Sequence, residues 1–143
     1  MRAIRTTLLV LTLAAVGVFA YATDTKKEEQ KVDQRVFELR TYYAAPGRMD
    51  ALHARFRDHT CGLFKKHGMT IIAFWTPQES KETQQKLIYV LAHASKEAAD
   101  KSWKAFREDP AWVAAKTASE KDGKLVDKFE SVYLDPTDYS PLK

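Results

Sequence analysis

The sequence predicts an α+β domain of the ferredoxin-like kind, β-α-β-β-α-β, in which a four-stranded antiparallel sheet of order 4-1-3-2 carries two helices on one face and pairs with a second copy into a dimeric α/β barrel. Three observations lead there. The hydrophobic period switches between two and 3.6 in the order strand, helix, strand, strand, helix, strand. A polar turn joins the middle two strand-like runs into a hairpin. The strands carry apolar residues on both faces, whereas two helices cover only one.

Strand 1 is "RVFELRTYY", residues 35–43, with Phe37, Leu39, Thr41 and Tyr43 on one face and Val36, Glu38, Arg40 and Tyr42 on the other. Pro46-Gly47 breaks the strand, and Met49, Leu52, His53, Phe56, Thr60, Leu63, Phe64 and His67 then align on one side of a first helix that Gly68 closes. His67, beside that glycine, reads as a cap on the helix dipole. Met69 to Pro77 and Lys86 to Ala94, rich in β-branched and aromatic residues, are strands 2 and 3 around "QESKETQQ". Ser95 is the N-cap of a second helix whose stripe is Ala99, Trp103 and Phe106. Pro110 interrupts that helix, a short helical piece follows from Ala111 to about Glu120, and Asp122-Gly123 turns into strand 4, Leu125 to Leu134.

The chain opens with Arg2 and Arg5 before an apolar run from Leu8 to about Ala20, with Ala20 and Ala22 as an A-x-A cleavage site. That run is shorter than the roughly 20 apolar residues of a spanning helix, so residues 1–22 are expected to be a cleaved signal peptide and the product secreted or periplasmic. Residues 23–31, charged and without an aliphatic side chain, form a leader, and residues 32–143 are one domain. Cleavage removes two arginines and lowers the net charge from +4 to +2, with acids and bases interspersed. Such a surface is not the basic footprint of a nucleic-acid binder. Cys61 is the sole cysteine, so a monomer has no internal disulfide.

On strand 1, Phe37, Leu39 and Tyr43 are assigned to the helix side, which leaves Val36, Glu38, Arg40 and Tyr42 on the uncovered face. Either Ile71, Ala73 and Trp75 or Ile72 and Phe74 join them from strand 2, and either Ile88 and Val90 or Leu87, Tyr89 and Leu91 from strand 3. In every case that face is apolar enough to call for an identical neighbour. Glu38 and Arg40 would then form, with Lys128 and Glu130 of strand 4, a charge ladder at the dimer face.

His53 and His67 stand fourteen residues apart, about 21 Å along a helix, and His53 and His59 are six apart. No pair has the i, i+4 spacing of metal ligands, so no metal and no cofactor is expected. The chain holds no G-x-S-x-G, H-E-x-x-H, phosphate loop or dinucleotide fingerprint.

"VFELRTYYAAPGRMDAL", "KKHGMTIIAFWT", "DPAW" and "YLDPTDYSPL" together resemble the NIPSNAP family of dimeric α+β barrel proteins across nearly the whole mature domain. The resemblance implies the dimeric barrel and no general catalytic activity. It also implies kinship with cofactor-free monooxygenases, haem-degrading enzymes and EthD-like proteins that share the barrel. The expectation is therefore an exported homodimer acting as a small-molecule binding or interaction module. Its pocket residues would be His53, Tyr43, Trp75, Phe56 and Trp103, around a small apolar or aromatic ligand. The competing expectation is a cofactor-independent monooxygenase-like enzyme using His53, Tyr43 or Trp75, and a third is haem binding through His53.

Overall fold

A computed structural model describes residues 35–78 and 85–143. The expected signal peptide, the leader and most of the turn between strands 2 and 3 lie outside the described residues. The elements are β1 (Val36–Ala44), α1 (Met49–Arg55), a π-helical turn (Phe56–Thr60), α2 (Cys61–Lys66), β2 (Thr70–Trp75), β3 (Lys86–His93), α3 (Lys96–Glu108), α4 (Pro110–Ser119) and β4 (Val126–Leu134). The sheet is antiparallel in the order β2-β3-β1-β4, as the sequence predicts.

The expected first helix is one rod with a π turn inside it. Cys61 N–H reaches back to the Phe56 carbonyl and Thr60 Oγ1 donates to the Arg55 carbonyl at 3.2 Å, which fits one extra residue into the turn. That insertion keeps Met49, Leu52, Phe56, Thr60, Leu63 and Phe64 all buried, although α1 and α2 each span less than two turns. At the far end Gly68 takes φ +73° and Met69 N–H closes onto the Phe64 carbonyl at 2.9 Å, a left-handed cap that a β-carbon would strain. Ser95 Oγ accepts from Ala98 N–H at 3.1 Å and starts α3. Asp109 then leaves the helix in an extended conformation before Pro110, and its carboxylate accepts from Ala111 N–H at 2.8 Å.

The core lies between the sheet and the helices. Leu52, Phe56, Phe64, Tyr89, Leu91, Trp103 and Phe106 fill it, and successive ring centroids stand 5–6 Å apart, mostly edge to face. Tyr42 joins this cluster, 5.3 Å from Tyr89 and 6.0 Å from Phe56.

Here the structure overturns the sequence reading of β1. Glu38, Arg40 and Tyr42 face the helices, and Leu39, Thr41 and Tyr43 face away. In the register, Glu38 lies opposite Leu91 and Tyr133, Arg40 opposite Tyr89 and Ser131, and Tyr42 opposite Leu87 and Phe129. The open face holds Leu39, Ile88, Val90, Ala73, Trp75, Val132 and Leu134, with Lys86, Lys128 and Glu130 at one end. Glu38 and Arg40 therefore share no face with Lys128 and Glu130, and the four do not form a ladder. The set Ile71, Ala73 and Trp75 is split as well: a bulge skips Ile72, so Ile71 pairs with Leu91 on the helix side while Ala73 pairs with Val90 on the open side.

Candidate functional site

Glu38, the third residue of β1, is only 1 % exposed, with its carboxylate under α3. Trp103 Nε1–H donates to Oε2 at 2.6 Å and Ser131 Oγ–H to Oε1 at 2.7 Å, while His93 Nε2 lies 3.1 Å from Oε2. Three elements thus converge on one carboxylate: α3 brings the indole, β3 the imidazole and β4 the hydroxyl. Burial alone would raise the Glu38 pKa. The hydrogen bonds from His93, Ser131 and Trp103, with the charge of Arg40, outweigh burial and hold it below its ordinary value. Glu38 is a fixed, fully bonded anion, which is the opposite of a base kept ready for a proton.

Arg40 is different. Its guanidinium carbon is 4.0 Å from the Trp103 ring centroid and 4.7 Å from that of Phe129, so rings lie against it from α3 and β4. Its Nε is 3.6 Å from Glu38 Oε1, beyond hydrogen-bond reach, and has no hydrogen-bond partner among the described residues. Around these groups lies a hollow of about 490 Å³, walled by Arg40, Trp103, Ser131 and Tyr133 and mouthed by Lys104 and Arg107.

A second hollow, about 250 Å³, opens at the rim of the core between the π turn and the end of the β2–β3 hairpin. His53, Phe56, Arg57, Cys61, Phe74 and Trp75 line it, and burial pushes the Cys61 thiol up from its ordinary value. A third, about 320 Å³, lies where the C-terminal residues fold beside Phe37, held by Arg35 Nε–H donating to the Lys143 carbonyl at 2.6 Å.

The five pocket residues expected from sequence are therefore divided. His53, Phe56 and Trp75 share the rim hollow, Trp103 belongs to the cleft under α3, and Tyr43 is on the opposite face of the sheet. Tyr43 OH donates there to Glu130 Oε2 at 3.3 Å, with Lys86 and Lys128 over its ring. Sequence reasoning missed Ser131 and His93 as partners of Glu38. The signal for Ser131 was its place two residues from both Phe129 and Tyr133, which alternation puts on one face of strand 4; His93 had none.

His67, expected as a dipole cap, points elsewhere. Its Nε2 is 2.7 Å from Asp109 Oδ2, which Lys66 Nζ also reaches at 2.6 Å, so the end of α2 is fastened to the α3–α4 junction. These donors, Lys66 first, together with Ala111 N–H, hold the Asp109 carboxyl far below the usual carboxylate range. Among the described residues no three of His, Cys, Asp and Glu meet as metal ligands would.

Order, pairing and helix placement define a ferredoxin-like α+β domain, bearing a buried Glu38 network on its helix side. The chain belongs to the NIPSNAP family, whose profile matches residues 37–141. Among solved structures it is similar to a NIPSNAP family protein of unknown function from Agrobacterium tumefaciens, at 19 % identity over 78 % of this chain and 96 % of that one, TM-score 0.67. A second NIPSNAP family protein from that organism is 21 % identical over 76 % and 99 %, TM-score 0.66. An uncharacterised NIPSNAP domain protein from Burkholderia xenovorans is 19 % identical over 74 % and 98 %, TM-score 0.63. At these identities the likeness is one of fold. No curated protein matches the chain.

Proposed function

We infer that this NIPSNAP chain works as an exported homodimer, a small-molecule binding module joined through the open sheet face. The carrying observation is that face itself. Leu39, Ile88, Val90 and Ala73 are only partly covered, while Val132 and Trp75 are 51 % exposed and Leu134 41 %. A contiguous apolar sheet face of this kind is a surface that a second copy removes from water. Lys128 and Glu130, 2.7 Å apart, put both charge signs at its end, where a mate can offer each an opposite charge.

The inversion of β1 favours this reading, because the pair Glu38 and Arg40, costly to desolvate at an interface, is already housed under α3. Sedimentation equilibrium of the mature chain at micromolar concentration should give twice the chain mass, and Val132→Glu should give the chain mass while leaving the far-UV spectrum unchanged. A monomeric wild type overturns the reading. N-terminal sequencing of exported material should begin at Thr23 if residues 1–22 are removed.

A second reading, an oxygen-using enzyme without cofactor, is supported by the rim hollow, where His53 stands beside the rings of Phe56, Phe74 and Trp75. Oxygen uptake with quinol-like substrates tests it, and His53→Ala must abolish any uptake that is found.

A further inference from the structure

We propose that the cleft under α3 binds a small organic carboxylate, with Arg40 as its anchor and Lys104 and Arg107 at its mouth. The proposal rests on reading the chain as a small-molecule binding module, but not on the pairing of two copies, since the cleft lies on the helix side of the sheet.

Donors and acceptors are out of balance in this cleft. Glu38 draws its hydrogen bonds from Trp103, Ser131 and His93 and takes none from Arg40. The Arg40 side chain, nine-tenths buried, makes no hydrogen bond with any described residue, and its Nε is buried without a partner among them. A buried guanidinium with unused donors is costly, and five N–H groups on one plane are a strong demand for acceptors. The rings of Trp103 and Phe129 stand 4.0 and 4.7 Å from its central carbon. Nε is buried beside Glu38, the terminal nitrogens are not among the buried unpartnered atoms, and the side chain lines the hollow. A guanidinium packed against rings hydrogen-bonds through its edge. An edge of two parallel N–H groups matches two coplanar oxygens, which is the geometry of a carboxylate.

Charge selects in the same direction. Arg40, Lys96, Lys104 and Arg107 line the cleft against Glu38 and Asp100. Lys96 already pairs with Asp100 at 2.6 Å, and among the described residues Lys104 and Arg107 make no ion pair. The surplus, two unpaired cations at the mouth, attracts an anion, and the aromatic side chains of the wall favour one with an apolar body over inorganic phosphate. The hollow of about 490 Å³ has room for an acid with a body the size of one ring or more, against the Trp103 and Tyr133 side chains.

The test uses the mature chain, observing the Arg Nε–H and Trp Nε1–H resonances while benzoate, its neutral counterpart benzamide, or inorganic phosphate is added. Benzoate is expected to shift both Arg40 Nε–H and Trp103 Nε1–H at concentrations where benzamide leaves them in place. Lys104→Glu and Arg107→Glu, exposed changes that leave the core alone, should each weaken benzoate by at least about threefold, whereas Lys65→Glu on α2 should not. Arg40→Lys, if folded by its far-UV spectrum, should abolish the selectivity for benzoate. Equal shifts with benzamide, shifts confined to other residues, an effect of phosphate in place of benzoate, or equal weakening by Lys65→Glu would each overturn the proposal. Sedimentation of the same samples separates the two readings: a monomer that binds benzoate removes the pairing and keeps the cleft, and a dimer blind to benzoate does the reverse.

Discussion

Replacing Glu38 by leucine asks the most of the structure, because it tests which face β1 presents. On the open face Glu38 would be a solvated group beside Arg40, and its loss would cost no more than about 1 kcal/mol. Under α3 the same change removes the acceptor of Trp103 Nε1–H at 2.6 Å and of Ser131 Oγ–H at 2.7 Å and takes away the partner of His93. It also leaves the guanidinium of Arg40, 4.0 Å from the Trp103 centroid, without a counter-charge. A hydrogen bond to a charged group contributes about 1.5–3 kcal/mol, but bonds sharing one carboxylate are not additive. The better guide is the loss on breaking a buried pair from one side, about 3–5 kcal/mol. For a domain of this size, at about 4 °C per kcal/mol, the midpoint should fall by about 12–20 °C. Thermal melts and urea titrations followed by circular dichroism measure this. The double variant Glu38→Leu with Arg40→Leu should recover part of the loss, since the stranded charge goes with its partner. A single-variant loss below about 1 kcal/mol, or a double variant equal to the sum of the singles, would refute the placement of β1.

Two further outcomes follow from the same network of contacts. Glu38 and Asp109 both have folded pKa values below their ordinary ones, so their contribution is complete above the unfolded carboxylate range and is lost as pH falls toward the folded values. Urea midpoints should therefore decline as pH drops below about 5, and the gap between wild type and Asp109→Asn should narrow over that descent; a gap independent of pH would contradict the ion pairs to Lys66 and His67. Gly68→Ala should cost about 1–2 kcal/mol by urea titration, because φ is +73° there while Ser102 Oγ, at 3.9 Å, leaves ample room; a neutral result would remove the left-handed cap as a determinant of where the first helical rod stops.

Element order, strand order and both caps, Gly68 and Ser95, were legible because each depends on local chemistry: period, β-branching, a glycine after the last apolar turn, a hydroxyl before the first. The π turn was not, since Phe56, Thr60 and Leu63 fall on one side of an ordinary helix nearly as well. The phase of β1 failed for a more instructive reason. Alternation divides the strand into two sets and says nothing about which is inside. The usual tie-breaker, that charge goes outward, is reversed here because β3, β4 and α3 each supply a donor to Glu38. Those donors come from residues 93, 103 and 131, too distant in sequence for periodicity to connect. The pocket list divided with it: His53, Phe56 and Trp75 stay together at the rim, while Tyr43 lies on the open face and Arg40 is inside.

That reversal bears on assembly more than on stability. With Glu38 and Arg40 outward, a dimer would have to bury two ion pairs per interface, each recovering its desolvation only through good geometry. With them inward, the outward set is Leu39, Thr41 and Tyr43 beside Ile88, Val90 and Val132, and the charges that remain, Lys86, Lys128 and Glu130, gather at one end around Tyr43. An apolar centre with a charged margin is how stable protein interfaces are built. Paired and loaded as proposed, the chain would separate two tasks that the sequence reading placed on a single surface: an apolar face of the sheet for a second copy, and on its other side an arginine held against aromatic rings at the wall of a cleft.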